Sequence, residues 1–196
     1  MSASDITVIN PLGAPMRGST HVPGDKSISH RAVLFSAMAE GTSRVSGVLD
    51  SADVRSSIGA VRALGAQVSL EKQADGSLAG GITGWGVAGP SQPAEPVDCG
   101  NSGTTVRLLM GILAPWDIEV TLTGDSSLCK RPMRRITAPL MKMGAHFEPA
   151  GQEHLPITVV GGGLHPITYD APMASAQLKT AVLLAGMYAN GTTALN

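Results

Sequence analysis

The sequence predicts an α/β protein built from repeated βαβαββ-type units in a pseudo-threefold arrangement, and three observations predict it. Ser or Gly stands at an apparent helix start with a cation four residues on in three places: Ser27 with Arg31, Gly103 with Arg107, and Ser175 with Lys179. The leading serines Ser27, Ser102 and Ser175 lie 75 and 73 residues apart, a nearly fixed period. A second element also recurs, a helical pattern that ends Leu64-Gly65-Ala66 and again Met143-Gly144-Ala145, each time followed by a strand-like stretch. Finally, 24 glycines in 196 residues imply many tight connections between short elements.

The first unit, about 21–90, opens with a helix over 27–39, for which Ser27 is the N-cap candidate. A strand over 42–48 follows, then a helix over 53–64. Val54, Ile58, Val61 and Leu64 of that helix share one face at helical spacing. A strand over 67–70 comes next. The second unit, about 97–165, repeats the order: helix 102–114, strand 118–123, helix 132–143, strands near 146–148 and 156–160. Pro132 suits the first turn of its second helix, whereas Pro139 falls in the interior and predicts a kink. Gly65 and Gly144 read as left-handed helix stops. The third unit, about 170–196, has a helix over 175–188 and then a strand start at 191–195. The Pro-rich stretch 89–96 and the Gly-rich stretch 161–166 connect the units. Because the chain stops as unit three enters its strand, a fragment of a longer protein is expected; a degenerate third unit is the alternative.

Bulk properties narrow the function classes. Hydrophobic residues make up 43% and aromatics 3%, so the core must be aliphatic. A formal net charge of −1 argues against nucleic-acid binding, which calls for a basic excess, and the few aromatics offer no base-stacking platform. Yet eight of the fourteen Lys and Arg fall at 26–31, 107, 130–135 and 179. Positive charge so localised suits a small anion better than a polymer. Cys99 and Cys129 make neither a disulfide framework nor a metal-type spacing, so no metal is expected and a reduced, cytoplasmic setting is the default. The start MSASDITVIN lacks the regions of a signal peptide, and no apolar run nears the ~20 residues of a membrane span.

A helix start presents unpaired N–H groups and the positive end of the helix dipole, so three such starts with fixed cations describe a pocket for a multiply anionic small molecule. Lys26 follows a Pro-Gly-Asp turn; by itself it reads as a solvated lysine. Arg31 shares the helix face of Ser27 and can fork onto a phosphate or carboxylate. His30 beside it reads as structural. Gly103 allows close approach to the backbone, with donors on Asn101 and Thr104 nearby. Arg131 precedes a helix, while Arg134 and Arg135 read as a solvated face. Ser175 reads as a cap, and Gln177 begins an almost wholly apolar helix, so its amide must meet a cleft or the cap.

The blocks PGDKSISHRAVLFSAMAEGTS (23–43), CGNSGTTVRLLMG (99–111), LTGDSSLCKRPMRRI (122–136) and PMASAQLKTAVLLAG (172–186) resemble, in order and separation, the signature blocks of the 5-enolpyruvylshikimate-3-phosphate synthase family. The resemblance covers about residues 11–196. It implies an enolpyruvyl transferase-like domain, truncated here, and transfer of the enolpyruvyl group of phosphoenolpyruvate to the 5-hydroxyl of shikimate 3-phosphate on the route to chorismate and the aromatic amino acids. By the same resemblance Lys26, Ser27, Arg31, Ser175, Ala176 and Gln177 hold shikimate 3-phosphate. Lys26, Gly103, Arg131 and Gln177 meet phosphoenolpyruvate, with Asn101 and Thr104 as weaker candidates. Some family members carry Ser where Ala176 stands, so a hydroxyl contact is lost.

Lys26 is the one matched residue able to move a proton. The acidic partners are implied to lie on a second domain that closes over residues 21–196 and to which residues 1–20 belong. Neither metal nor cofactor is implied, nor any nucleic-acid or membrane partner, and the full-length protein is expected to be a cytoplasmic monomer. The herbicide glyphosate competes for the phosphoenolpyruvate site in this family, and Gly103 leaves the room it needs. Two rivals remain. UDP-N-acetylglucosamine enolpyruvyl transferases carry a functional Cys in the loop of Cys129, but their spacing and Lys-Asn start differ, so Cys129 reads as a bystander. The other rival is a non-catalytic anion-binding module on the same repeat.

Overall fold

A computed structural model describes residues 7–8, 10–11, 13–15 and 17–196. The second unit shows the βαβαββ order in full: β4 (Val97–Asp98), α3 (Gly103–Leu113), β5 (Glu119–Thr123), α4 (Arg134–Lys142), β6 (His146–Glu148) and β7 (Ile157–Val160). The first unit gives α1 (Lys26–Met38), β1 (Thr42–Val48), α2 (Ala52–Ala63), β2 (Gln67–Lys72) and β3 (Leu78–Thr83), and the third gives β8 (Thr168–Tyr169), α5 (Ala176–Gly186) and β9 (Ala194–Leu195). Sheet order repeats with the sequence. The first sheet runs β1-β3-β2 and the second β4-β5-β7-β6, so the strand after each second helix is always separated from the strand before it by the hairpin partner. The pairs β4 with β5 and β8 with β9 are parallel, as a strand–helix–strand crossover requires, and the hairpins are antiparallel.

Two helix starts lie where the caps predict. Ser102 and Ser175 accept from the N–H groups of Thr105 and Leu178 at 3.1 and 3.3 Å. Ser27 is not a cap. Asp25 caps α1 instead, its Oδ1 accepting from the Ile28 N–H at 2.8 Å, because a carboxylate at the positive helix end competes better than a hydroxyl two residues on. Ser27 therefore lies inside the first turn. α4 begins at Arg134, so Pro132 precedes the helix and does not occupy its first turn. Pro139 is accommodated, and α4 continues through it to Lys142. α5 ends at Gly186, two residues short of expectation. Gly65 and Gly144 have φ of +99° and +104°, the left-handed stops expected of them.

The helices form the core and the sheets cover it. α3 is apolar nearly all round, with Leu108, Leu109, Met110, Ile112 and Leu113 fully buried, each contributing about 1.5–3 kcal/mol by burial. α5 crosses it at Gly111, where a Cβ would strike the Ala181 backbone, so only glycine permits this approach. The predicted face Val54, Ile58, Val61 and Leu64 is buried, as are Met133, Thr137, Leu140 and Met143 on the α4 side.

Direction follows from who meets whom. Lys26 and His30 of α1 meet Asp53 and Ser57 of α2 in the same order. Thr104 of α3 meets Gln177 of α5, while Gly111 meets Ala181 farther along. Arg31 of α1 meets Thr180 of α5. α1, α2, α3 and α5 thus run the same way, with their N-termini at one end of the molecule. Of residues 1–20, positions 1–6, 9, 12 and 16 lie outside the described residues, and those described are exposed and carry no helix or strand.

Candidate functional site

The N-terminal end of the helix bundle gathers the candidates. On α3, Arg107 is only 6% exposed, the single charged residue of an otherwise apolar helix. Its Nη1 donates to Gln177 Oε1 at 3.1 Å and to the Gly103 carbonyl at 3.4 Å, and its Nη2 reaches the Pro132 carbonyl at 3.5 Å. Its Nε has no partner among the described residues. Gln177 returns a bond, its Nε2 donating to Thr104 Oγ1 at 3.0 Å, and also accepts from Arg135 Nη2 at 3.4 Å. One carboxamide therefore ties α3, α4 and α5 together.

Arg131 approaches from the loop before α4. Its Nη2 donates to Asn101 Oδ1 at 2.6 Å and to Ser127 Oγ at 3.4 Å. Asn101 is itself held by Asp125, to which it donates at 2.6 Å. That bond, with the Leu128 N–H, holds the Asp125 carboxyl below its usual value, so the acid stays ionised and the Asn101 side chain is fixed with its oxygen toward Arg131. Gly103 lies between the two arginines: a Cβ there would stand 2.7 Å from Arg107 Nη1 and 3.4 Å from Arg131 Nη1.

Three guanidinium groups, on Arg107, Arg131 and Arg135, thus converge, and among the described residues none has a carboxylate within ion-pair distance. Burial, and then repulsion from Arg135 and Arg131, pull the Arg107 pKa down to about 10. A cluster that strained by its own charge is set up to take an anion, and guanidinium forks suit phosphate and carboxylate in particular.

On the far side, Arg31 Nη2 donates to Thr180 Oγ1 at 2.9 Å, one helical turn beyond Gln177, and its Nη1 to the Ser27 carbonyl at 3.2 Å. Lys26 is exposed but not simply solvated, since its Nζ pairs with Asp53 at 2.6 Å. Ser27 and Ala176 are exposed at the first turns of α1 and α5. The Ser175 hydroxyl is engaged in capping. Arg31 reaches α5 at Thr180, away from the bonds around Gln177, whereas Gly103, Arg131 and Gln177 share one cluster.

Two arginines beyond the residues implied by the resemblance belong to the site. Arg135 was expected on a solvated face with Arg134; Arg134 does pair outward with Glu153 at 3.1 Å, but Arg135 turns to Gln177. Arg107 belongs among the candidates as well, and the signal was present: an arginine amid TTVRLLMGIL cannot avoid burial. His30 is buried and structural, as expected. Cys129 Sγ donates to the Gly124 carbonyl at 3.3 Å, and burial pushes the Cys99 thiol up to about 12, which removes it as a nucleophile at neutral pH. Among the described residues no group of His, Cys, Asp or Glu is placed to hold a metal, and no helix is long and apolar enough to cross a membrane.

A family model described as EPSP synthase (3-phosphoshikimate 1-carboxyvinyltransferase) matches residues 12–196. A protein of Desulforamulus reducens named 3-phosphoshikimate 1-carboxyvinyltransferase is 50% identical over 96% of this chain and 43% of its own length. One of the same name from Bacillus pumilus is 48% identical over 93% of this chain and 42% of its own length. Among solved structures, an EPSP synthase from Acinetobacter baumannii superposes with a TM-score of 0.82 at 44% identity, covering 91% of this chain and 40% of that one. The chain thus spans about two fifths of the length of the relatives it matches.

Proposed function

Since the chain belongs to the EPSP synthase (3-phosphoshikimate 1-carboxyvinyltransferase) family, we propose that it carries part of a site that transfers the enolpyruvyl group of phosphoenolpyruvate to the 5-hydroxyl of shikimate 3-phosphate. In that reaction the hydroxyl gives up its proton as its oxygen bonds to the central carbon of phosphoenolpyruvate and the methylene carbon takes a proton; loss of a methyl proton and of phosphate then restores the double bond. The chain's residues serve the anionic parts. Arg131, Gly103 and Gln177 receive phosphoenolpyruvate, with Arg107 and Arg135 added to them. Lys26, Ser27, Arg31, Ser175, Ala176 and Gln177 receive shikimate 3-phosphate. Lys26 is the proton-transfer group, freed when the ligand displaces Asp53. Fixed guanidinium groups and helix ends stabilise the phosphate-bearing tetrahedral intermediate.

The observation that carries this reading is the meeting of Arg107 and Arg135 on Gln177, with Arg131 beside them on Asn101 and, among the described residues, no ion pair to any of the three. We extend the proposal to residues 21–196 as an incomplete substrate-binding domain of a cytoplasmic, monomeric enzyme, whose remaining acid–base groups lie in the part of the family length outside this chain. The chain alone then binds shikimate 3-phosphate weakly and turns nothing over. Calorimetry with that ligand and a phosphate-release assay with both substrates test this. Heat of binding without phosphate release is expected; robust release, or no binding of either substrate, contradicts it. The UDP-sugar rival finds no support in the family match.

A further inference from the structure

A buried chain of hydroxyls behind the anion site has no part in the reaction as described. His30 Nδ1 lies 2.7 Å from Ser57 Oγ, Ser57 Oγ lies 2.6 Å from Thr105 Oγ1, and Thr105 Oγ1 lies 2.6 Å from Ser102 Oγ. Ser57 and Thr105 are 0% exposed, His30 and Ser102 1%. The four residues come from α1, α2, α3 and the cap of α3, so the chain crosses three helices. We infer that Thr105 is a positioning residue for the anion site: its hydroxyl, held by Ser57 and through Ser57 by His30, fixes the Ser102 cap and with it the Gly103–Thr104 start of α3. The inference deepens the proposed function and rests on it, since Gly103 and Thr104 are where phosphoenolpyruvate would meet that helix.

The bonding balance supports this. The Thr105 N–H already donates to Ser102 Oγ at 3.1 Å, so the cap and the relay share one oxygen. Burial lowers the His30 pKa, which keeps the ring neutral with one donor nitrogen. Its Nε2 is buried with no partner among the described residues. A bare ring nitrogen there is cheaper than a stranded N–H, so Nδ1–H donates to Ser57, Ser57 to Thr105, and Thr105 to Ser102. All hydroxyls then point one way, toward the cap. Removing a link strands the buried donor behind it, and removing the Thr105 hydroxyl leaves the Ser102 cap on the residue-105 N–H alone. Gly103 has no side chain to hold its place, and its neighbour Thr104 anchors Gln177, so a loosened cap is felt where the arginines meet.

The test uses the chain with Thr105→Val, which keeps the shape and removes the hydroxyl, together with Ser57→Ala and Thr105→Ser. Phosphoenolpyruvate and shikimate 3-phosphate are titrated separately by calorimetry, and the Gly103 and Thr104 amide resonances are recorded without ligand. Thr105→Val and Ser57→Ala should each weaken phosphoenolpyruvate at least tenfold while shikimate 3-phosphate stays within twofold. The pair combined should be no weaker than the worse single variant, and Thr105→Ser should recover most of the affinity. Equal weakening of both ligands, or no weakening, overturns the inference. If Thr105→Val does not fold, Ser57→Ala and Thr105→Ser decide it. If the unaltered chain binds neither ligand, the functional reading fails, and the relay stands or falls on whether the two amides move in Thr105→Val or Ser57→Ala and return in Thr105→Ser.

Discussion

Gln177 Oε1 on α5 accepts from Arg107 Nη1 on α3 at 3.1 Å, and this bond joins two helix starts that are far apart in sequence. Around it the molecule collects three arginines, and among the described residues none is paired with a carboxylate. Such an arrangement costs stability in the free protein and returns it on binding an anion.

Arg107→Met should therefore leave the melting temperature unchanged or raise it, since an apolar side chain of similar length relieves a buried, self-repelled charge. Phosphoenolpyruvate affinity should fall more than tenfold. The linkage sign agrees: the folded pKa of about 10 lies below the unfolded 12.5, so the unfolded chain binds more protons between them and the contribution of Arg107 to stability improves as pH rises through that window. Thermal melts of both proteins across alkaline pH, with and without phosphoenolpyruvate, check this.

Gly103→Ala places a methyl against the tips of two flexible side chains, not against backbone. Ala also favours helix by up to about 1 kcal/mol. Stability should hold within about 1 kcal/mol while Arg107 and Arg131 shift, so calorimetry should show phosphoenolpyruvate weakened and shikimate 3-phosphate spared.

The Lys26–Asp53 pair spans 2.6 Å on an exposed surface, where such pairs contribute about 0–1 kcal/mol. Asp53→Asn should alter denaturant stability by less than that and should strengthen shikimate 3-phosphate binding, because the ligand no longer displaces a carboxylate from the ammonium. Weaker binding in Asp53→Asn would show that Asp53 helps to hold the ligand.

Acid should act through His30. Burial lowers its folded pKa below the ordinary 6.5, so the unfolded chain takes up the proton first. Stability from this group is present above pH 6.5 and is lost as pH falls toward the folded value. Replacing the ring, as in His30→Gln, should flatten the melting temperature profile below pH 6.5, whatever it does to the absolute value.

Local chemistry made much of this legible. Ser102 and Ser175 cap helices because nothing nearby competes with them, and Ser27 does not because Asp25 does. The strand over Leu78–Thr83 escaped notice although it is central to its sheet. It reads LAGGIT, and two glycines and an alanine carry no alternation; the neighbours β1 and β2 impose the strand from both sides. The distinction between Arg134 and Arg135 was likewise invisible in RPMRRI, because only the path of α4 beside α5 decides which one meets Gln177. By contrast, the starts at Ser102 and Ser175, with Arg107, announced that helix ends would meet, although Ser27 is not a cap and Lys179 is exposed.

The most direct measurement is a map of amide resonances as shikimate 3-phosphate and then phosphoenolpyruvate are added to the isotopically labelled chain. Shifts should gather at 26–31, 101–107, 131–135 and 175–180 and spare the hollow lined by Met141, His146 and Phe147 beyond α4. Shifts centred on that hollow, or on the outer faces of the sheets, would contradict a single anion site at the joined helix ends.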